Sequence, residues 1–142
     1  MIKLEIATSN SKDIKKFNEW TISEWGNKDF PTENLYDEWL PLSILAYQNN
    51  ILIGGLRFDY YIKPEHTKKT LWINAVFVVP NSRKQGVASL LIKKAVDIAR
   101  TTTFKELYVY TQFPSLYSNI GWESLEKNDD NYVLKKLLLE KI

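Results

Sequence analysis

Cysteine is absent from the 142-residue chain, and histidine occurs once, at His66. The lack of cysteine excludes disulfide bonds and thiolate chemistry, and a cytoplasmic location is the natural expectation. A single histidine argues against a histidine-rich metal site, so we expect a reaction that uses no metal ion. His66 lies in a lysine-rich segment and is interpreted as a solvated loop residue.

Long apolar runs are missing as well. No run reaches the roughly 18 residues that a membrane-spanning helix needs, and the first ten residues lack the pattern of a secretory signal. There is no repeat and no Gly/Ser-rich linker. We therefore expect one domain over 1–142, with a hydrophobic core and no membrane partner.

The formal net charge of +2 hides an uneven distribution of charge. Residues 63–105 carry nine Lys/Arg against two Asp/Glu, and the segments on both sides are acidic. This basic block indicates an anionic partner, although a solvated basic helix face would give the same composition. No known nucleic-acid-binding signature accompanies the block, so nucleic acid is not the expected partner.

Hydrophobic periodicity predicts helices that interrupt a mostly antiparallel sheet. The apolar segment 70–79 has the pattern of a central strand covered on both faces, and Asn49–Asn50 joins two strands in a hairpin. The other predicted elements are a strand over 2–7, helices over 12–26, 31–40, 87–100 and 115–120, and strands over 106–111, 122–126 and 132–139. The order β-α-α-β-β-β-α-β-α-β-β indicates a mixed α/β (α+β) fold.

The stretch VVPNSRKQGVASLL (78–91) places a helix start directly after the predicted central strand. A helix N-terminus offers unpaired N–H groups and a partial positive charge, and Gly86 lets an anion approach the backbone closely. Arg83 and Lys84 add charge. The single glycine fits neither a P-loop nor a dinucleotide-binding loop. An ordinary strand–loop–helix connection is the alternative.

Two motifs in register with these elements resemble those of the GNAT superfamily of N-acetyltransferases. The segment 78–88 resembles the acetyl-CoA loop, [QR]-x-x-G-x-[GA], and LYSNIGWE (116–123) resembles the element Y-x-x-x-G-[FW]. The resemblance covers nearly the whole chain. It implies a central, mostly antiparallel sheet flanked by helices, with a V-shaped splay at the acetyl-CoA site. The implied activity is that of an acyltransferase, an acetyl-CoA-dependent N-acetyltransferase.

The resemblance also implies roles for individual residues. Backbone groups of Phe77, Val78 and Val79 would pair with the pantetheine arm, and the Val78 amide would stabilise the oxyanion. Tyr117 would be the general acid that protonates the leaving thiolate, with a core role beneath Trp122 as the alternative. The backbone N–H groups that would hold the pyrophosphate belong to Arg83, Lys84, Gln85, Gly86, Val87, Ala88 and Ser89.

The sequence departs from the family pattern at two places. The loop TQFPS after the strand 106–111 lacks the family's cofactor-binding asparagine, and Thr111 or Gln112 could replace it. The central strand lacks the glutamate that often serves as general base, and it offers Asn74 instead. Asn74 is interpreted either as a site residue that holds a water or as a hydrogen-bonded core amide. The base stays unassigned.

The sequence says less about the acceptor substrate than about the cofactor. Aromatic and acidic residues lie where the family usually has its acceptor groove and suit a cationic amine, although core packing and solvated faces explain each of them better. These residues are Trp20, Trp25, Tyr36, Trp39, Glu19, Glu24, Glu33, Asp37, Glu38, Asp59, Tyr60 and Tyr61. The expected partners are acetyl-CoA and an amine of a small molecule or peptide, and a homodimer stays open. The rival function is a non-catalytic acyl-CoA-binding or sensing module.

Overall fold

The computed structural model describes residues 1–7, 12–26, 40–62 and 69–138. Its elements are β1 (Ile2–Ile6), α1 (Lys12–Trp25), β2 (Ile44–Gln48), β3 (Ile51–Ile62), β4 (Lys69–Val78), α2 (Val87–Ala99), β5 (Glu106–Thr111), α3 (Pro114–Ser118), β6 (Glu123–Asn128) and β7 (Asn131–Leu137). The strands form one sheet in the order β1-β2-β3-β4-β5-β7-β6. Only the β4–β5 pair is parallel among the described strands. The predicted mixed α/β fold is confirmed.

The β2–β3 hairpin turns at the predicted Asn49–Asn50 pair. Their φ angles of 52° and 66° are left-handed, as both central residues of a type I′ turn require. Asparagine tolerates this conformation better than most residues with a side chain, because its short polar side chain hydrogen-bonds locally. The turn chemistry therefore sets the pairing of Gln48 with Ile51 and of Tyr47 with Leu52 at the start of β3, the strand that lies beside β4.

The two longer helices cover opposite faces of the sheet. Helix α2 buries its apolar stripe, including Leu91, Ile92 and Ala95, in the main hydrophobic core with Leu71 and Ile73 of β4. Helix α1 contributes Phe17, which is fully buried, to a second cluster, with Leu45 and Leu52 among its other members. Both helices contact β4. The prediction that β4 is central and covered on both faces is therefore confirmed.

The ends of several elements differ slightly from the sequence prediction. Helix α1 ends where expected, since Gly26 has a φ of 90° and its N–H is bonded to the Ile22 carbonyl. Helix α3 is shorter than predicted, because the chain after Ser118 turns through Gly121, whose φ is 93°.

Some predictions fall on parts of the chain outside the described residues. The helix predicted over 31–40 does so apart from Leu40, and so does the loop that contains His66. The acceptor-groove candidates in that stretch are Glu33, Tyr36, Asp37, Glu38 and Trp39. Among the residues described, no helix is long and apolar enough to cross a bilayer.

Candidate active site

A cleft opens between β4 and β5, where the two strands separate. They pair only from Leu71–Leu107 to Ile73–Val109, and within the described chain the rest of β4 has no partner on that side. Separation begins at Asn74, which is an extra residue in β4, because Arg57 pairs with Ala75 and Phe58 pairs with Ile73. Such a bulge bends the strand. The result is the predicted V-shaped splay, with a cleft of about 1260 Å³.

The backbone of Val78 faces this cleft. The Val79 amide donates to the Ile53 carbonyl at 2.8 Å, so Val79 is turned toward β3. Backbone groups of an antiparallel strand alternate in direction. The N–H and C=O of Val78, and of Val76 two residues earlier, therefore point into the cleft, whereas those of Phe77 point toward β3. Of the three residues predicted to pair with pantetheine, Val78 is the one whose backbone groups point into the cleft.

The loop before α2 lies at one end of the cleft. Gly86 precedes the helix with a φ of 82°, and its carbonyl accepts the first helical bond, from the Leu90 amide. A β-carbon at Gly86 would meet no atom within 4 Å, so the space above it is open to a ligand. The first N–H groups of a helix have no acceptor within it. The loop thus has the room and the donors that a pyrophosphate needs.

Most of the predicted phosphate-loop residues line the cleft. They are Arg83, Lys84, Gly86, Val87, Ala88 and Ser89, whereas Gln85 is exposed and is not part of the lining. The Arg83 side chain is held against β4, because its Nε donates to the Val78 carbonyl at 2.7 Å and its guanidinium lies 5.4 Å from the Phe77 ring centre. Arg83 therefore occupies the Val78 carbonyl and leaves the Val78 amide for a ligand.

Tyr117 lies on α3. Its ring packs in the main hydrophobic core, and the residue is also part of the cleft wall. The ring packs edge-on against Trp122 at 5.1 Å between centres, as predicted for Trp122. Burial raises the pKa of Tyr117 above its ordinary value, so the phenol stays protonated at neutral pH. Both predicted roles, proton donor and core aromatic, are compatible with this position.

The segment after β5 contains the two residues, Thr111 and Gln112, that could replace the family's cofactor-binding asparagine. Thr111 accepts a hydrogen bond from the Phe113 amide at 3.0 Å, so its hydroxyl helps to turn the chain into α3. Gln112 is exposed and lines the cleft beside it. Gln112 is therefore better placed than Thr111 to reach a bound ligand with its side chain.

The expected acceptor residues separate into three groups. Glu24, Trp25 and Tyr61 line the cleft. Trp20 packs on the Phe77 ring at 5.6 Å, and Tyr60 packs against the main core. The remaining described candidates, Glu19 and Asp59, are not part of the lining, and Asp59 is buried.

Arg57 is a site residue that sequence reasoning missed. It lies on β3, is only 3% exposed and lines the cleft. Its guanidinium donates to Asn74 Oδ1 through Nε at 3.0 Å and Nη2 at 2.9 Å, and through Nη1 to Asn18 Oδ1 at 2.9 Å and Thr21 Oγ1 at 3.1 Å. Burial lowers its pKa to about 10, although the Asp59 carboxylate opposes this. The sequence did contain a signal for Arg57, because a cation inside the apolar run ILIGGLRF is unusual.

Comparison with known proteins decides the family. A family model described as acetyltransferase (GNAT) family matches residues 13–121, which include the phosphate loop, Asn74 and Tyr117. The chain belongs to the GNAT acetyltransferase family. It is thus an acetyl-CoA-dependent acetyltransferase, as the two motifs predicted. No curated protein matches the sequence significantly.

Solved GNAT structures share the fold at low sequence identity. A GNAT family acetyltransferase from Elizabethkingia anophelis with acetyl-CoA bound has a TM-score of 0.72 at 16% identity, covering 96% of this chain and 98% of its own. Naa50 of Arabidopsis thaliana, in complex with the bisubstrate analogue CoA-Ac-MVNAL, has a TM-score of 0.67 at 19% identity, with coverages of 95% and 97%. A GNAT acetyltransferase of Staphylococcus aureus Mu50 has a TM-score of 0.70 at 16% identity, with coverages of 98% and 100%.

Proposed function

We propose that the protein transfers the acetyl group of acetyl-CoA to a primary amine of a small molecule or peptide. One observation supports this most strongly. A single cleft brings together the phosphate loop at Gly86, the cleft-facing Val78 backbone and the Tyr117 phenol. Pyrophosphate, pantetheine and thiolate are the three parts of coenzyme A that need these groups. We further propose that 1–142 forms one cytoplasmic domain.

In the proposed mechanism the amine nitrogen attacks the thioester carbonyl carbon directly. The carbonyl oxygen gains negative charge as the new C–N bond forms, and the Val78 N–H is directed into the cleft to stabilise it. The C–S bond then breaks, and Tyr117 transfers its proton to the departing sulfur. The proton on the acetylated nitrogen passes to water, because the described lining offers no assigned base.

The raised pKa of Tyr117 is compatible with this role. A buried phenol remains protonated at neutral pH, so the donor is present in every molecule. The same burial disfavours a thiolate anion, because desolvation destabilises any charged form. Burial thus raises the pKa of the proton donor and the pKa of the leaving thiol alike. The difference between the two pKa values, which governs the proton transfer, therefore changes less than burial of the phenol alone would change it.

Release of free thiol from acetyl-CoA in the presence of a panel of amines and peptides tests this function. We expect thiol release that depends on the amine, together with a product heavier by one acetyl group. Tight acetyl-CoA binding without amine-dependent thiol release would instead indicate the non-catalytic acyl-CoA-binding module.

A further inference from the structure

Asn74 is the bulged residue at the point where β4 and β5 separate, and among the described residues its side chain has Arg57 as its hydrogen-bond partner. Arg57 approaches its terminal amide with two donors, Nε at 3.0 Å and Nη2 at 2.9 Å, and both bonds end on the same atom, Oδ1. Asn74 lines the cleft and is half-buried. It therefore contributes a polar group at the apex of the V, away from the phosphate loop.

The chemistry of arginine determines which way this amide points. A guanidinium has only donors, so the atom that faces Arg57 has to be the amide oxygen. Two donors occupy that oxygen, and Nδ2 is left as the other end of the amide. Among the residues that the structure describes, Nδ2 has no hydrogen-bond acceptor. Asn74 is thus available to the cleft as a donor, and not as a base or as an acceptor for the amine.

The guanidinium is itself held firmly. Its Nη1 donates to Asn18 Oδ1 and Thr21 Oγ1 on α1, and Thr21 Oγ1 in turn donates to the Asn18 carbonyl at 2.8 Å. Arg57 is therefore fixed by helix α1 and strand β4. Rotation of the Asn74 side-chain amide would place its NH₂ group against the Nε and Nη2 donors of Arg57. Such a contact would leave a buried donor unpaired, which is unfavourable.

We propose that Asn74 donates a hydrogen bond from Nδ2 to an oxygen of the acceptor substrate, and that Arg57 positions it for this. The enzyme then selects amines that carry a carbonyl or carboxylate oxygen close to the amino group, over amines without one. This inference rests on the proposed acetyl transfer. It treats Asn74 as a site residue that acts through its N–H group.

Three related amines test the selection: phenylalanine amide with a carbonyl, phenylalanine with a carboxylate, and phenethylamine with neither. The ratio of kcat/KM with oxygen to kcat/KM without it is compared between the wild type and Asn74→Asp. The carboxylate of this variant would keep two oxygens for Arg57 but would have no N–H donor. We expect the ratio to fall roughly tenfold, the effect of one hydrogen bond. The intrinsic reactivity of each amine cancels in this comparison.

Asn18→Asp is the matched control. It introduces the same carboxylate beside the same arginine, but Asn18 does not line the cleft. We expect the ratio in Asn18→Asp to equal that of the wild type. Two results would overturn the proposal. One is a fall of the kcat/KM ratio in Asn18→Asp that equals the fall in Asn74→Asp. The other is an equal loss of kcat/KM for all three amines in Asn74→Asp, since that result places the bond on the acetyl oxygen.

A binding measurement separates this inference from the proposed function. The side-chain amide resonance of Asn74 is identified by its absence in the Asn74→Asp spectrum. In the coenzyme A complex we expect it to shift with phenylalanine amide and not with phenethylamine. No acetylation of any amine, with this shift present, would refute the transfer reaction alone. The same shift with both amines, or with neither, would refute the role of Asn74.

Discussion

Tyr117 belongs both to the hydrophobic core and to the wall of the cleft. It is 3% exposed and packs against Trp122, yet it lines the cleft, so we expect its ring to stabilise the fold and its hydroxyl to reach a bound ligand. Substitution with phenylalanine separates the two contributions, because the ring remains and only the hydroxyl is lost. Two predictions concern this variant.

The kinetic prediction for Tyr117→Phe is a fall in turnover with little change in acetyl-CoA affinity. Loss of a general acid lowers the rate by roughly 10²–10⁴-fold, and the hydroxyl acts mainly when the thiolate leaves. Steady-state kinetics and calorimetry measure the two quantities. Tyr110→Phe is the companion variant, since Tyr110 also lines the cleft. Normal turnover in Tyr117→Phe with low turnover in Tyr110→Phe would assign the acid to Tyr110.

The second prediction for Tyr117→Phe concerns stability at alkaline pH. Burial raises the pKa of Tyr117, whereas in the unfolded chain the phenol ionises near pH 10. Above about pH 10 the unfolded state loses this proton and the folded state keeps it, so the free energy of unfolding falls as pH rises. We expect a shallower fall in the Phe variant, measured by urea unfolding from about pH 7 to pH 11. Arg57 is present in both proteins, so its own titration cancels.

The loop before α2 depends on a left-handed residue at Gly86. Alanine there costs about 1–2 kcal/mol in backbone strain and also fills the space expected for the pyrophosphate. Gly86→Ala should therefore lower both the melting temperature and the acetyl-CoA affinity. Gly121→Ala is the control, because Gly121 has a similar φ of 93° but lies outside the cleft lining. We expect Gly121→Ala to lower only the melting temperature, and equal loss of affinity in both variants would contradict the loop assignment.

At the scale of elements, the contact of α1 with β3 depends on the absence of a side chain at Gly55. A β-carbon there would lie 2.8 Å from Phe17 Cδ1 and 3.0 Å from the Ile44 carbonyl oxygen. Overpacking of this kind costs about 1–3 kcal/mol, so we expect Gly55→Ala to destabilise the protein by that amount in denaturant unfolding. In a Phe17→Leu background the ring is gone, and the cost of Gly55→Ala should be smaller. An equal cost in both backgrounds would show that the ring is not the obstacle.

The elements were predictable where their determinants are local. Asn49–Asn50 fixes a hairpin turn, and Gly86 follows a strand at a helix start, so both could be read within a few residues. The bulge at Asn74 depends on the register of β4 against β3, which no local pattern specifies. The Arg57–Asn74 contact joins residues 17 positions apart through that register. The presence of the loop before α2 and of Tyr117 on the cleft wall was therefore predictable, whereas the contacts at the apex of the cleft were not.

Across the whole molecule, two cations of the basic block over 63–105, Arg83 and Lys84, line the cleft beside Gly86. We expect acetyl-CoA affinity to fall with salt, because the Debye length shrinks from about 10 Å at 0.1 M to about 3 Å at 1 M. Lys84→Ala should flatten this dependence, since Lys84 lines the cleft. Lys93→Ala removes the same charge from the exposed side of α2, outside the lining, and should change the slope less. Identical slopes in the two variants, measured by calorimetry, would indicate a general field and no specific contact.

The short parallel junction between β4 and β5 has a dynamic consequence. Among the described residues, strands β1–β4 and strands β5–β7 are joined within the sheet by three residue pairs, and we expect the two groups of strands to rotate slightly about that junction. A molecule that bridges the open part of the V would restrict the rotation. Amide hydrogens of β5 and β7 should then exchange more slowly with solvent in the complex, even where they touch no ligand. Because β4 and β5 pair over so short a length, we expect the rigidity of the whole sheet to depend on whether the cleft is occupied.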